Sequence, residues 1–352
     1  MARRLFVAAA VMVLVASACS SSSATTAPST AASTAPPTAA STAPSLTPST
    51  AASVAPSAAA NKLIGMSNQG ATYPFPGAIG EGVKKKGTEL GYQVVQTDAG
   101  LKTDKQTTDV NDLIAQKPAA IILNPVDGTQ AMGLVDNIVA AKIPVFVVHG
   151  NVGPAGHDIN QIYKGVLLQV TEDDILAGKN AGGIAVKAFP DGAKYAIVEG
   201  AAGFVEVQLR AQGFEDALKA SGKTWTKVAS QPGDWVPDKG KIACQNMLQA
   251  NPDIQLFYAE SDDMGTGCYE AITAAKSSAQ VIGIGGAKLG IDAIKAGQLL
   301  GTVCYKPETS GEIVMQAVND YLTGAKQYTG QLDAYDIPGI TKDNIDQCVP
   351  QW

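Results

Sequence analysis

The chain has 352 residues, 45% of them apolar, 16% charged and 6% aromatic, and a formal net charge of −6. This length and composition describe a globular protein of two domains with a large core. The acidic balance offers no basic face to nucleic acid, and the only histidines, His149 and His157, cannot build an H-E-x-x-H zinc site.

Residues 1–18 read as an export signal. Arg3 and Arg4 precede an apolar run, Leu5–Val15, that is too short and wrongly flanked for a membrane span. Ala16-Ser17-Ala18 then stands directly before Cys19. The segment resembles the lipobox of bacterial lipoproteins, which implies cleavage and a lipid on Cys19; an ordinary A-x-A secretory site is the alternative. Residues 19–60 are almost entirely Ser, Thr, Ala and Pro. Such a segment cannot bury enough surface to offset ordering, so a disordered tether is expected. As a flexible coil of about 40 residues it would span roughly 35 Å, more with its prolines. No later apolar stretch has the length of a membrane span.

From Lys62 the pattern is strand and helix in alternation. Lys62–Ser67 is a short strand, followed by the loop Asn68–Pro76 and a helix over Gly77–Leu90 with Ile79, Val83 and Leu90 inward. Gly91 ends that helix. Gln93–Gln96 is a strand and Thr103–Gln116 a helix. The stretch Ala119–Gly153 is the clearest unit. Two apolar runs, Ala119–Leu123 and Val145–Val148, lack alternation, as strands covered on both faces do. Between them Ala131, Leu134, Val135, Ile138 and Val139 form one helical face. A right-handed strand–helix–strand crossover follows. Ligands in such sheets bind beyond the carboxyl ends of the strands, which makes Asn124 and His149 site candidates. Asn124 also fits a plain turn before Pro125.

The pattern resumes after a Gly- and Pro-rich loop, Asn151–Asn160, and a short strand, Ile162–Gln169. Thr171–Asp174 reads as a helix start, with acids suited to the positive end of the dipole. Strands follow at Tyr195–Val198, Trp225–Ser230, Ile254–Tyr258, Gln280–Ile284, Leu299–Tyr305 and Gln331–Ile337. Helices separate them: one to Ala188, then Val205–Ala220, Lys239–Ala250, Asp263–Lys276, one ending near Ala296, and Glu308–Leu322. The fold class is α/β, two doubly wound parallel-sheet lobes with a cleft between strand ends.

Signatures of chemistry are incomplete. Gly222-Lys223-Thr224 ends like a P-loop, but Ala217 stands where the first glycine is required. Gly283–Lys288 lacks the third glycine of a dinucleotide fingerprint. No nucleophile elbow occurs, and neither a cofactor nor a metal is called for. Four cysteines remain beyond Cys19: Cys244, Cys268, Cys304 and Cys348. Export permits disulfides, with three possible pairings, and buried free thiols are the alternative. Cys244 and Cys268 lie on helices flanking one strand and can meet if both helices pack on one face; Cys304 then pairs with Cys348.

Several motifs taken together resemble one family. They are YPF at Tyr73–Phe75, IILNPVD at Ile121–Asp127, KIPVFVV at Lys142–Val148 and EGAAG…LRAQGFEDAL at Glu199–Leu218. SQPGDW at Ser230–Trp235, NPDIQLFYAESDDM at Asn251–Met264 and AIKAGQLLGTV at Ala293–Val303 continue the series. From Lys62 to Ile337 the chain resembles the ribose-type, type I periplasmic sugar-binding proteins, the substrate receptors of ABC importers. The resemblance implies three hinge crossings and a ligand buried by lobe closure. It implies an N-terminal lobe of residues 61–170 with 305–333, and a C-terminal lobe of residues 171–304 with 334–352.

The resemblance also carries site positions. Phe75 matches an aromatic after the first strand, Asn124 the N-P asparagine, Arg210 the arginine before G-F, and Trp235 the aromatic after Q-P. Others depart: His149-Gly150 replaces an Asp-Arg pair, Ser261 beside Asp262 replaces an asparagine, Gly285 an aspartate and Tyr305 a glutamine. His149 is then a ligand donor or a satisfied polar residue. Ribose itself is not implied, because the missing groups make charge-assisted bonds to hydroxyls. With those acids gone Arg210 looks under-compensated, so a ligand bearing a carboxylate is one variant. The expected function is a lipid-anchored, monomeric, non-enzymatic receptor delivering a small sugar or polyol to an ABC permease. Its membrane contact would be through the lipid alone. The alternatives are a sensor of a sugar-like signal or sugar acid, and an envelope enzyme acting on a glycoside.

Overall fold

The computed structural model describes residues 61–154 and 156–352; the export signal, Cys19 and the tether lie outside them. Two six-stranded sheets form the body. The first is built from β1 (Leu63–Asn68), β2 (Gln93–Asp98), β3 (Ala120–Leu123), β4 (Val145–Val148), β5 (Val166–Thr171) and β11 (Gln331–Ala334), in the order β11-β5-β4-β3-β1-β2, all parallel. The second is built from β6 (Lys194–Glu199), β7 (Thr226–Pro232), β8 (Leu256–Ala259), β9 (Gln280–Ile282), β10 (Gly301–Val303) and β12 (Gly339–Thr341). Its order is β12-β10-β9-β8-β6-β7, with β12 antiparallel to β10.

The apolar runs earn their double coverage. In the first sheet Ile122, Phe146 and Val148 face a core shared with α1 (Pro74–Glu89) and α9 (Pro307–Leu322). Their neighbours Ile121, Leu123, Val145 and Val147 face the opposite core, against α2 (Thr103–Ala115) and α3 (Gly128–Ala140). Successive strand residues point to opposite faces, so a run buried on both must be continuously apolar. On α3, Ala131, Leu134, Val135 and Ile138 are buried, while Val139 at the stripe's edge is 44% exposed. The Asp127 carboxylate caps α3 by accepting the Gln130 N–H.

The chain passes between the sheets three times: from β5 into α4 (Asp174–Ala188), from β10 into α9, and from β11 into β12. The remaining helices are α5 (Val205–Ala220), α6 (Pro237–Ala250), α7 (Asp262–Ala274) and α8 (Lys288–Lys295), with a 3-10 helix over Lys342–Gln347. Three boundaries correct the sequence reading in the same way. Helices α1, α6 and α9 begin on Pro74, Pro237 and Pro307 rather than after them. Proline at the first helical position has its φ preset and lacks only an N–H that would be unpaired there. Phe75 therefore sits in the first turn of α1, not in a loop. The expected strand Gln331–Ile337 is shorter, ending at Ala334 in the first sheet, and a further strand in the second sheet, β12, follows it at Gly339–Thr341.

Cys244 is bonded to Cys268, joining α6 to α7, and Cys304 to Cys348. These are the pairs of the scheme drawn from the sequence. The second bond fixes the segment after the 3-10 helix beside β10.

Candidate functional site

A cavity of about 110 Å³ opens where loops from the carboxyl ends of both sheets meet. The loop after β1 and the start of α1 bring Gln69, Tyr73 and Phe75. His149 follows β4, Arg210 lies on α5 after β6, and Trp235 follows β7. Ser261 and Asp262 follow β8, and Tyr305 follows β10. In each sheet the order turns at the first strand, β1 or β6, which is where a crevice forms between oppositely running connections.

Rings from the two sheets touch across this cavity. Phe75 lies 4.8 Å from the His149 ring, 5.8 Å from Tyr305 and 5.3 Å from Trp352, centroid to centroid. The Arg210 guanidinium sits 5.6 Å from the Trp235 ring and 5.1 Å from that of Tyr305. Trp235 and its neighbour Asp234 both have left-handed backbones, φ 63° and 51°, an uncommon pairing that marks a constrained turn. The turn lays the indole on Gly200, where an added Cβ would stand 1.9 Å from Trp235 Cη2. His149 is also left-handed at φ 56°.

The basic groups are firmly held. Arg210 Nε donates to Asp174 Oδ1 at 2.7 Å and its Nη1 donates to the Glu260 carbonyl at 3.2 Å. The Tyr305 hydroxyl donates to the same Asp174 oxygen at 2.9 Å. Burial pulls Arg210 down, but Tyr305, Asp174 and Glu206 together hold it above its ordinary value. His149 Nδ1 is bonded to Glu172 Oε1, and Tyr335 donates to the other oxygen at 2.9 Å. Burial lowers the imidazole, yet the Glu172 carboxylate outweighs it and the net direction is up. Burial likewise raises Glu172, and the His149 charge, with Arg210 and Tyr335, brings it below the usual range. The first of these ion pairs corrects the expectation that Arg210 lacks compensation: Asp174, on the first turn of α4, supplies it.

Phe75, His149, Arg210, Trp235, Ser261, Asp262 and Tyr305 line one cavity. Asn124 does not. It is fully buried, its N–H bonds Ser67 O at 2.9 Å and its carbonyl accepts from Gln106 Nε2 at 2.7 Å, while both atoms of its side-chain amide have no partner. Its backbone is tied to β1 and α2, and its side chain is not among the groups that line the cavity. The Ser261 hydroxyl caps α7 through the Met264 N–H at 3.1 Å, and Asp262 accepts from Thr302 and Ala287. Phe204, Glu206, Glu260, Asp263 and Trp352 line the cavity without having been singled out in the sequence. Glu206 lies one turn before Arg210, a helical spacing that could have found it. Trp352 carried no such signal.

Residues 64–326 match the family described as the periplasmic binding protein domain. The chain belongs to this family, the type I periplasmic sugar-binding proteins. The ribose import binding protein RbsB of Bacillus subtilis is 32% identical over 263 residues, covering 75% of this chain and 82% of that protein. RbsB of Salmonella typhimurium is 31% identical over 255 residues, covering 72% and 82%. A solved ABC transporter solute-binding protein from Mycobacterium smegmatis, with bound glycerol, superposes with a TM-score of 0.71 at 26% identity, over 82% of this chain and 96% of that one. A galactofuranose-binding protein has a TM-score of 0.73 at 23% identity, over 81% and 96%, a likeness of fold. These relatives are binding proteins, not enzymes. Among the described residues no helix is long and apolar enough to cross a membrane.

Proposed function

We propose that the protein captures a small sugar or polyol between its two lobes outside the cytoplasm and delivers it to an ABC permease. One observation carries this reading: a cavity of about 110 Å³ walled by aromatic rings from both sheets, with a guanidinium and several carboxyl groups on the same wall. Ring faces suit the C–H side of a sugar, and charged donors and acceptors suit its hydroxyls. Relatives named for ribose import support the ligand class. In this reading the lobes are residues 61–170 with 305–333 and residues 171–304 with 334–352. They swing on the three crossings, and closure is driven by the ligand's preference for the closed state. Cys19 carries the lipid, residues 19–60 tether the receptor, and it works as a monomer.

A thermal-shift screen of sugars and polyols, followed by small-angle scattering, tests the reading. A ligand at 100 times its dissociation constant adds about 2.7 kcal/mol of stability. The expected result is one stabilising class that also compacts the protein. Ligands that leave both melting and scattering unchanged would sink it.

A further inference from the structure

The charges of the cavity do not balance. Its two basic groups are already taken, Arg210 by Asp174 and His149 by Glu172, and neither acid is on the wall. Four carboxyl groups remain there: Glu206, Glu260, Asp262 and Asp263. Two have structural work. Asp262 accepts from the Thr302 hydroxyl at 2.6 Å and the Ala287 N–H at 2.9 Å. Asp263 stands in the first turn of α7, at the positive end of that helix.

Glu260 and Glu206 are different. Glu260 Oε2 accepts the Gly200 N–H at 2.9 Å, but Oε1 is buried with no partner, in a residue that is 0% exposed. Glu206 lies half-buried in the first turn of α5, within reach of the His149 and Arg210 charges, both of which are paired with other acids. Leaving a buried carboxyl oxygen unpaired is costly, and a donor arriving with a ligand recovers that cost. The rings of Phe75, Trp235 and Trp352 share the wall, and aromatic faces attract cations.

The geometry points to a ligand that carries a protonated amine as well as hydroxyl groups, an amino sugar or aminopolyol whose ammonium lies among Glu206, Glu260 and the ring faces. This narrows the ligand class of the binding-protein reading and rests on it. A carboxylate ligand would meet these acids with both cavity cations already paired. Burial pushes Glu260 up to about 8 and raises Glu206 as well, outweighing the Arg210 charge that acts on both.

Calorimetric titration of the whole protein with matched probes tests this. The pairs are glycerol with 2-amino-1,3-propanediol, and D-galactose with D-galactosamine; D-galacturonate is the acidic control. In at least one pair the amine should bind about tenfold tighter than its neutral partner, and galacturonate more weakly than galactose. Glu206→Gln and Glu260→Gln should each abolish the preference for the amine. Glu206 is the less buried of the two, so its variant keeps the test decisive if Glu260→Gln fails to fold. Neutral members binding as tightly as amines, or galacturonate binding best, overturns the amine and leaves the binding-protein reading standing. Binding by no probe overturns the amine, and the binding-protein reading is then decided by the wider thermal-shift screen.

Discussion

Arg210 and Asp174 form a buried ion pair, Nε to Oδ1 at 2.7 Å, between α5 and the first residue of α4. The helices can approach this closely because of two glycines. A Cβ on Gly178 would lie 2.1 Å from the Arg210 carbonyl oxygen, and one on Gly213 would lie 2.0 Å from that of Ile175. The backbone crossing therefore sets the distance of the pair, and the pair holds the guanidinium between Trp235 and Tyr305.

Asp174→Asn should destabilise the protein by about 3–5 kcal/mol, because it leaves a buried guanidinium without its counter-charge. Arg210→Ala should weaken ligand binding by about 2–5 kcal/mol. Urea unfolding and calorimetry measure the two. A loss below about 1 kcal/mol for Asp174→Asn would mean that water screens the pair.

Trp235→Ala should weaken binding by about 1–3 kcal/mol through lost apolar burial. Gly200→Ala should weaken it too, since its Cβ would meet the indole at 1.9 Å and displace the ring without removing it. Unchanged affinity in both variants would remove Trp235 from the binding wall.

The Cys304–Cys348 bond spans 44 residues of sequence and keeps Trp352 against Phe75. Cys348→Ser should cost about 4 kcal/mol in the chain-entropy view of loop closure. It should also weaken ligand binding as Trp352 leaves the wall. Wild-type affinity in a destabilised Cys348→Ser protein would show that the bond serves stability alone.

Burial raises the Glu260 carboxyl from 4.5 to about 8. A group raised on folding stabilises fully below its unfolded value, and that contribution fades as pH climbs towards the folded value. The ligand-free protein should therefore lose stability between about pH 4.5 and 8 through this group. Glu260→Gln should gain relative to wild type across the same interval, by roughly 1–4 kcal/mol. Denaturant melts at pH 5 and pH 8 compare them; parallel curves would mean that Glu260 is solvated.

Cys19→Ala should release the protein from the membrane fraction, since Cys19 is the residue proposed to carry the lipid. A variant that stays with the membrane has its anchor elsewhere.

Much of this was written in local pattern. The continuous apolar strands 120–123 and 145–148, with a helical stripe between, fix a doubly covered parallel sheet, because strand and helix periods are local properties. Helix starts at Pro74, Pro237 and Pro307 were misplaced by a few residues, since proline reads equally as loop or as first helical residue. What pattern could not give was convergence. Asp174 and Arg210 stand 36 positions apart, and Tyr305 is 131 from Asp174; only the crossing of α4 with α5 and the return of β10 bring them to one oxygen. Asn124 stands at a strand end, as a ligand residue would, yet packing ties it to β1 and α2. Glu260 shares the strand-end position of Asn124 and His149, after β8, but nothing local marks it as unpaired, and Trp352 carries no local signature at all. Composition and periodicity determine the elements and their layers. Charge balance in the cavity belongs to side chains that only the tertiary fold assembles, because electrostatic partners are chosen by distance in space and not by spacing along the chain.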